Sequence, residues 1–221
     1  MNEATPDALD DINRQIAASC KIALRRADSV KLIAVSKTRS IQEIRPLLYS
    51  GHRVFGENRV QEAEAKWPAL KADFPDVELH LIGQLQSNKA ADAVAAFDRI
   101  HSLDRLSLVK ALGKAMRESG NFVPCFLQVN IGAEEQKGGC AIADIPALLA
   151  AAKDEGVPII GLMCLPPADI EPAPFFALLA ELAARNGLEH LSMGMSDDFG
   201  TAIMLGATHI RVGTALFGQR A

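Results

Sequence analysis

A lysine and an arginine near the ends of two apolar, β-branched runs are the residues best placed to do chemistry. Lys37 closes the run KLIAVSK, and Arg211 lies in IRVG, two residues before Gly213 and so on the same face of a strand. A lysine held away from water favours its neutral amine, the form that attacks a carbonyl carbon. Spacing alone leaves two other roles open for Lys37, namely pairing with a carboxylate or solvation at a rim.

Small polar residues follow other apolar runs and could bind an anion. Ser196, in GMSDDFG, is expected at the N-cap of a helix, where simple capping is one interpretation. A helix N-terminus with a free hydroxyl is also an anion site, so Ser196 is a candidate to bind a phosphate. Gly213 and Thr214 offer unobstructed backbone N–H groups and a second hydroxyl. Asn58, at the end of FGEN, places a neutral amide where it could meet a ligand.

Together these residues predict a ligand with three features. An aldehyde would satisfy the Lys37 amine, and a phosphate would satisfy the donors of Ser196, Gly213 and Thr214. An arginine that points into the barrel needs an anion or an electron-rich acceptor. Pyridoxal 5′-phosphate has this layout, with a ring nitrogen between the two ends. His80 and His101 sit on predicted strands and are interpreted as satisfied core groups, although an acid–base role stays open.

Eight short apolar runs alternate with helical stretches along the chain. The runs are 30–35, 53–56, 78–83, 99–103, 124–131, 158–165, 190–195 and 209–217. This alternation predicts parallel strands with right-handed crossovers, and eight units favour a (β/α)8 TIM barrel. An open doubly wound sheet is disfavoured because no Gly-x-Gly-x-x-Gly motif follows the first run.

The chain is predicted to be one α/β domain spanning 1–221. Residues 1–28 are expected to form a helical extension packed on the barrel, since apolar residues recur there at three- and four-residue spacing. Ser40 and Glu43 fit a capping box at the start of a later helix.

Composition argues against several classes of protein. The 221 residues carry a formal net charge of −4 and only 5% aromatic residues, which disfavours nucleic-acid binding through a positive field or a stacking platform. The acidic start resembles no signal peptide, and no apolar stretch is long enough to cross a membrane. Four scattered cysteines show no zinc-ligand spacing, so no metal site is predicted. We expect a soluble, cytoplasmic protein, with a monomer as the default.

Nearly the whole chain resembles the pyridoxal phosphate homeostasis protein family, which is itself similar to the barrel domain of alanine racemases. The matching segments are AVSKTRS, FGENRVQEAEAK, HLIGQLQSNK, IHSLDR, VNIGAEEQKGG, GLMCLPP, MGMSDDF and IRVGTALFG. The resemblance implies a Schiff base on Lys37 and an arginine, Arg211, facing the pyridine nitrogen. It also implies phosphate contacts at Ser196, Gly213 and Thr214, and places Asn58 near the cofactor.

Two functions remain in competition at this stage. The resemblance implies a protein that carries or buffers pyridoxal phosphate with little turnover, with apo forms of pyridoxal-phosphate enzymes as possible recipients. The alternative is an amino-acid racemase. It is disfavoured because two-base racemisation needs a second base, because the sequence ends soon after its eighth run, and because a fixed charge at Arg211 makes the ring a poorer electron sink.

Overall fold

Eight parallel strands close into a barrel in chain order in a computed structural model that describes residues 6–218. The strands are β1 (Lys31–Val35), β2 (Val54–Glu57), β3 (Glu78–Leu81), β4 (Arg99–Leu103), β5 (Cys125–Val129), β6 (Ile159–Cys164), β7 (His190–Ser192) and β8 (His209–Val212). Pairing of β1 with β8 completes the ring. The predicted (β/α)8 barrel is confirmed.

Helices connect the strands and surround the barrel. They are α1 (Pro6–Ile22), α2 (Ile41–Tyr49), α3 (Val60–Asp73), α4 (Ala90–Ala96), α5 (Leu106–Ser119), α6 (Ile145–Asp154), α7 (Ala173–Arg185), α8 (Phe199–Met204) and α9 (Thr214–Phe217). The predicted capping box is present at α2, where the Ser40 hydroxyl accepts from the Glu43 N–H and the Glu43 carboxylate accepts from the Ser40 N–H. None of the helices within residues 6–218 is both long and apolar enough to span a membrane.

The eighth apolar run is only half strand, so the prediction for residues 209–217 is wrong in its second half. β8 ends at Val212, and α9 starts at Thr214. The Gly213 carbonyl accepts hydrogen bonds from the N–H groups of Leu216 and Phe217, which closes a helical turn. Both side chains are buried, and a one-turn helix satisfies the same apolar pattern as a longer strand.

The N-terminal helix α1 lies on the outside of the barrel against α8 and α9. Its buried side chains are those that the spacing predicted, namely Leu9, Ile12, Ile16 and Cys20. The boundaries of one domain at 1–221 with an extension at 1–28 stay predictions, and residues 1–5 and 219–221 of those ranges lie outside the described residues.

Two layers of side chains fill the molecule. Alternate strand residues such as Leu79 and Leu81 join the apolar core between sheet and helices. The residues between them turn into the barrel, where His80, His101 and Phe126 are fully buried. His101 stacks on Phe126 with ring centroids 4.2 Å apart. The interior is therefore unusually rich in imidazole, since a barrel interior of this type is normally aliphatic.

A buried ion pair ties α3 to the top of the barrel. The Lys66 ammonium lies 2.8 Å from Glu57 Oε1 and 2.9 Å from Glu62 Oε1. It also donates to the carbonyls of Ser36 and Arg39, at 3.0 and 3.1 Å. Glu57 is fully buried and also accepts from the indole of Trp67. Lys66 neutralises a buried carboxylate and joins three segments. Its loss should therefore destabilise the fold much more than the loss of an exposed charge.

We expect Lys66→Met to lower the free energy of unfolding by about 3–5 kcal/mol, because it leaves the Glu57 carboxylate buried without its cation. The matched control is Lys114→Met, which removes an exposed lysine paired with Glu118 at 3.8 Å and should change stability by less than about 1 kcal/mol. Urea denaturation of the two variants measures both values. Equal losses would contradict the central role of the buried pair.

A candidate ligand site at the mouth of the barrel

One cavity of about 330 Å³ opens at the carboxyl ends of the strands. Its volume falls at the small end of the range for ligand pockets, which suits a small phosphorylated molecule. The residues that line it are Val35, Lys37, Asn58, Ile82, Leu165, Met195, Ser196, Asp197, Arg211, Gly213 and Thr214. All six residues that the sequence singled out are therefore brought to the same cavity.

Barrel closure brings the lysine and the arginine together. Ile33 of β1 pairs with Arg211 of β8, and Ala34 pairs with Val212. Lys37 lies in a turn two residues beyond the end of β1, half-buried rather than in the packed layers. Side chains from opposite ends of the sequence thus meet at one edge of the cavity.

The turn that carries Lys37 is held on both sides. Lys66 donates to the carbonyls of Ser36 and Arg39, and the Ser36 hydroxyl donates to Glu57 at 2.7 Å. Glu62 accepts from the N–H of Thr38, which has a φ of 63°. Sequence reasoning missed this support, because a glutamate at a strand end and a lysine in a helix carry no signal that they are buried together.

Arg211 is almost completely buried and faces neutral acceptors. Its Nη1 donates to Ser192 Oγ at 2.6 Å, and its Nη2 donates to the Cys164 carbonyl at 2.9 Å. Burial lowers the pKa of Arg211, yet a guanidinium stays protonated in proteins. No carboxylate in the described part of the chain forms an ion pair with it. Among residues 6–218, the acceptors that Arg211 contacts are therefore a hydroxyl and a carbonyl, and its guanidinium also lines the cavity.

Ser196 lines the cavity but does not cap the following helix, so that prediction is wrong. Asp198 occupies the N-cap position of α8, and Asp198 Oδ1 accepts from the Met195 N–H at 2.5 Å. The carboxylate reaches back to close the turn, which leaves the Ser196 hydroxyl outside the cap. Burial raises the pKa of Asp198. Asp197 is exposed beside Ser196 and adds a negative charge at the rim.

Two glycines, one beside the cavity and one in its lining, differ in what a side chain would meet. A Cβ on Gly83 would lie 2.3 Å from the Asn58 carbonyl oxygen, so only glycine allows the segment after β3 to approach the backbone of Asn58. At Gly213, φ is −119° and a Cβ would make only an ordinary 3.4 Å contact with Val35. The fold itself therefore does not require glycine at 213, where extra atoms would enter the cavity.

The remaining residues of interest lie outside the lining. His80 and His101 are fully buried and hydrogen-bonded, which confirms their interpretation as satisfied core groups. In the loop after β5, Lys137 pairs with Glu134 at 2.7 Å and donates to the Pro166 carbonyl. Gly139, in the same loop between β5 and α6, has a φ of 119°, a backbone conformation that favours glycine.

Comparisons with known proteins identify the family of this chain. The family described as alanine racemase, N-terminal domain, matches residues 10–221. A pyridoxal phosphate homeostasis protein from Pseudomonas aeruginosa is 42% identical over 93% of this chain and 91% of its own. One of the same description from Aquifex aeolicus is 38% identical over 97% of both chains.

Comparison with solved structures supports the same family assignment. PipY of Synechococcus elongatus with PLP bound is 42% identical, with a TM-score of 0.80 over 92% of this chain and 100% of that chain. An alanine racemase from Clostridium difficile shares the fold at 13% identity, with a TM-score of 0.70 over 95% of this chain and 57% of that one. The chain thus belongs to the family of alanine racemase N-terminal domains and, within it, to the pyridoxal phosphate homeostasis proteins.

Proposed function

We propose that this protein binds pyridoxal 5′-phosphate and carries or buffers it for the cell, with little or no turnover of its own. The observation that carries the proposal is the cavity at the mouth of the barrel, in which barrel closure places Lys37 and Arg211 together with Ser196, Gly213 and Thr214. The names of its relatives and the bound ligand of PipY support the same function.

The donors around the cavity fit this ligand group by group. The Lys37 amine is placed to form a Schiff base with the aldehyde, which supplies an electrophilic carbon. The Ser196 and Thr214 hydroxyls and the backbone at Gly213 can donate to phosphate oxygens. Arg211 can donate to the ring nitrogen, and the space left beside Gly213 is available to the phosphate.

Low turnover follows from the groups that line the cavity. A guanidinium facing the ring nitrogen disfavours its protonation, and an unprotonated ring withdraws electrons poorly from a substrate carbon. The one tyrosine of the sequence, Tyr49, is exposed at the end of α2 and does not line the cavity. Within residues 6–218, the only carboxylate in the lining is the exposed Asp197. No observation favours the racemase alternative.

The proposal also covers the location of the protein, its oligomeric state and the recipients of the cofactor. We place the protein in the cytoplasm as a monomer, with apo forms of pyridoxal-phosphate enzymes as recipients of the cofactor. The four cysteines support a reducing compartment, since all of them are buried and unpaired.

Lys37→Ala should abolish covalent attachment while leaving the fold intact, because Lys37 lies in a turn outside the packed layers. The loaded protein is reduced with borohydride, digested and mapped by mass spectrometry. The wild type and the control Lys114→Ala should carry the label on the peptide that contains Lys37. A reduced adduct at the same site in Lys37→Ala would contradict the assignment.

Ser196→Ala should weaken binding roughly ten- to a hundredfold, since a hydrogen bond to a charged group contributes about 1.5–3 kcal/mol. Gly213→Val should weaken it further by filling the cavity. Asp197→Asn should instead tighten binding a few-fold, because it removes a negative charge beside the phosphate. Fluorescence titration with pyridoxal phosphate measures all three.

The matched control for these variants is Ser107→Ala, which removes an exposed hydroxyl from α5, and its affinity should equal that of the wild type. Unchanged affinity in both Ser196→Ala and Gly213→Val would show that the phosphate does not bind beside Ser196 and Gly213.

The loaded protein should produce no D-isomer from L-alanine above the background of free cofactor. The absence of a well-placed second base should lower the rate by about 10²–10⁴ relative to a racemase. Chiral chromatography over many hours tests this, with Lys37→Ala as the blank and Asp197→Asn to probe the one carboxylate of the lining. Steady, Lys37-dependent formation of a D-amino acid would overturn the carrier function in favour of the racemase.

A further inference from the structure

A continuous row of hydrogen bonds runs through the interior of the barrel and ends at Arg211. Arg211 Nη1 lies 2.6 Å from Ser192 Oγ, and Ser192 Oγ lies 2.8 Å from His101 Nδ1. His101 Nε2 is 2.9 Å from His80 Nδ1, and His80 Nε2 is 2.9 Å from Glu78 Oε1. Glu78 opens β3 at the amino end of the barrel, so the row joins the two ends of the sheet.

The chemistry of its two ends determines the position of every proton in this row. Glu78 as a carboxylate only accepts, so His80 carries its proton on Nε2 and donates to Glu78. The Nδ1 of a neutral His80 then accepts, so His101 carries its proton on Nε2 and accepts through Nδ1 from the Ser192 hydroxyl. A guanidinium only donates, so Ser192 Oγ also accepts from Arg211 at the other end of the row.

The opposite direction fails at Glu78. Burial opposes its ionisation, but hydrogen bonds from His80 and Lys31 and the charge of Arg99 hold the pKa of its carboxyl well below the ordinary value. Burial also lowers the pKa of both His80 and His101, so each ring is neutral, with one donor and one acceptor. Reversal would place a ring nitrogen without a proton against a carboxylate that has none to donate.

We infer that Ser192, His101, His80 and Glu78 form one polarised chain that positions Arg211, with Ser192 held as an acceptor and the direction set by Glu78. Ser192 and Cys164 together occupy two of the guanidinium donors and leave the others to the cavity. The proposal rests on the proposed function only where it takes the ring nitrogen as the group that Arg211 meets.

The first test needs no ligand. In the full chain labelled with ¹⁵N-histidine, long-range proton–nitrogen NMR reports which ring nitrogen carries the proton, and single His→Phe variants assign the signals. We expect His80 and His101 to be protonated on Nε2 and to accept through Nδ1. A proton on Nδ1 of either ring in the wild type would overturn the proposal.

Two variants distinguish an effect on the hydrogen-bonded row from a general loss of stability. Glu78→Leu removes the terminal acceptor and should shift the His80 ring away from the pure Nε2–H tautomer. Lys31→Met removes the 2.6 Å partner of Glu78 but leaves the carboxylate in place, so both tautomers should persist. Identical tautomers in the two variants would contradict the role of Glu78, and if Glu78→Leu does not fold, the wild-type spectrum still decides.

Ligand affinity tests the effect on Arg211. Ser192→Ala should weaken pyridoxal phosphate binding about tenfold while attachment at Lys37 survives. Ser102→Ala is the matched control, since its hydroxyl is equally buried but has no hydrogen-bond partner, and it should bind like the wild type. Wild-type affinity in Ser192→Ala would overturn the positioning role. A wild-type protein that does not bind the ligand would instead contradict the proposed function and leave the tautomers as the test of the chain.

Discussion

Closure of the sheet between its first and last strands is the constraint on which the candidate site depends. The register that sets Ile33 beside Arg211 and Ala34 beside Val212 joins residues from opposite ends of the sequence. An open sheet with the same strands would leave Lys37 and Gly213 on separate edges. Because the strands are parallel, all eight carboxyl ends share one mouth, and residues after β1, β2, β7 and β8 line one cavity there.

The two buried cations of the barrel, Lys66 and Arg211, have different kinds of partner. Outside the sheet, Lys66 is neutralised by Glu57 and Glu62 and uses its remaining donors to hold the turn of Lys37. Inside it, Arg211 has only neutral acceptors, so its charge remains available to the cavity. The first arrangement holds the backbone around Lys37, and the second leaves a guanidinium without an ion-pair partner among residues 6–218 at the cavity.

Sequence reasoning succeeded where local patterns determine structure. The alternation of apolar runs with helical stretches predicted the barrel, and the side chains of Ser40 and Glu43 cap α2 as the motif predicts. It failed where a tertiary contact decides between local options. The residues after β8 form a helical turn rather than more strand, and Asp198 displaces Ser196 from the cap. The clustering of Lys66 with Glu57 and the row of histidines involve partners distant in sequence, so no local pattern could reveal them.

A crystal structure of the protein grown with pyridoxal 5′-phosphate tests the central claim most directly. The account predicts electron density that joins the aldehyde carbon to Lys37 Nζ, with the phosphate against Ser196, Gly213 and Thr214 and the ring nitrogen facing Arg211. Density for the ligand on another lysine, or with its phosphate away from the loops after β7 and β8, would contradict it.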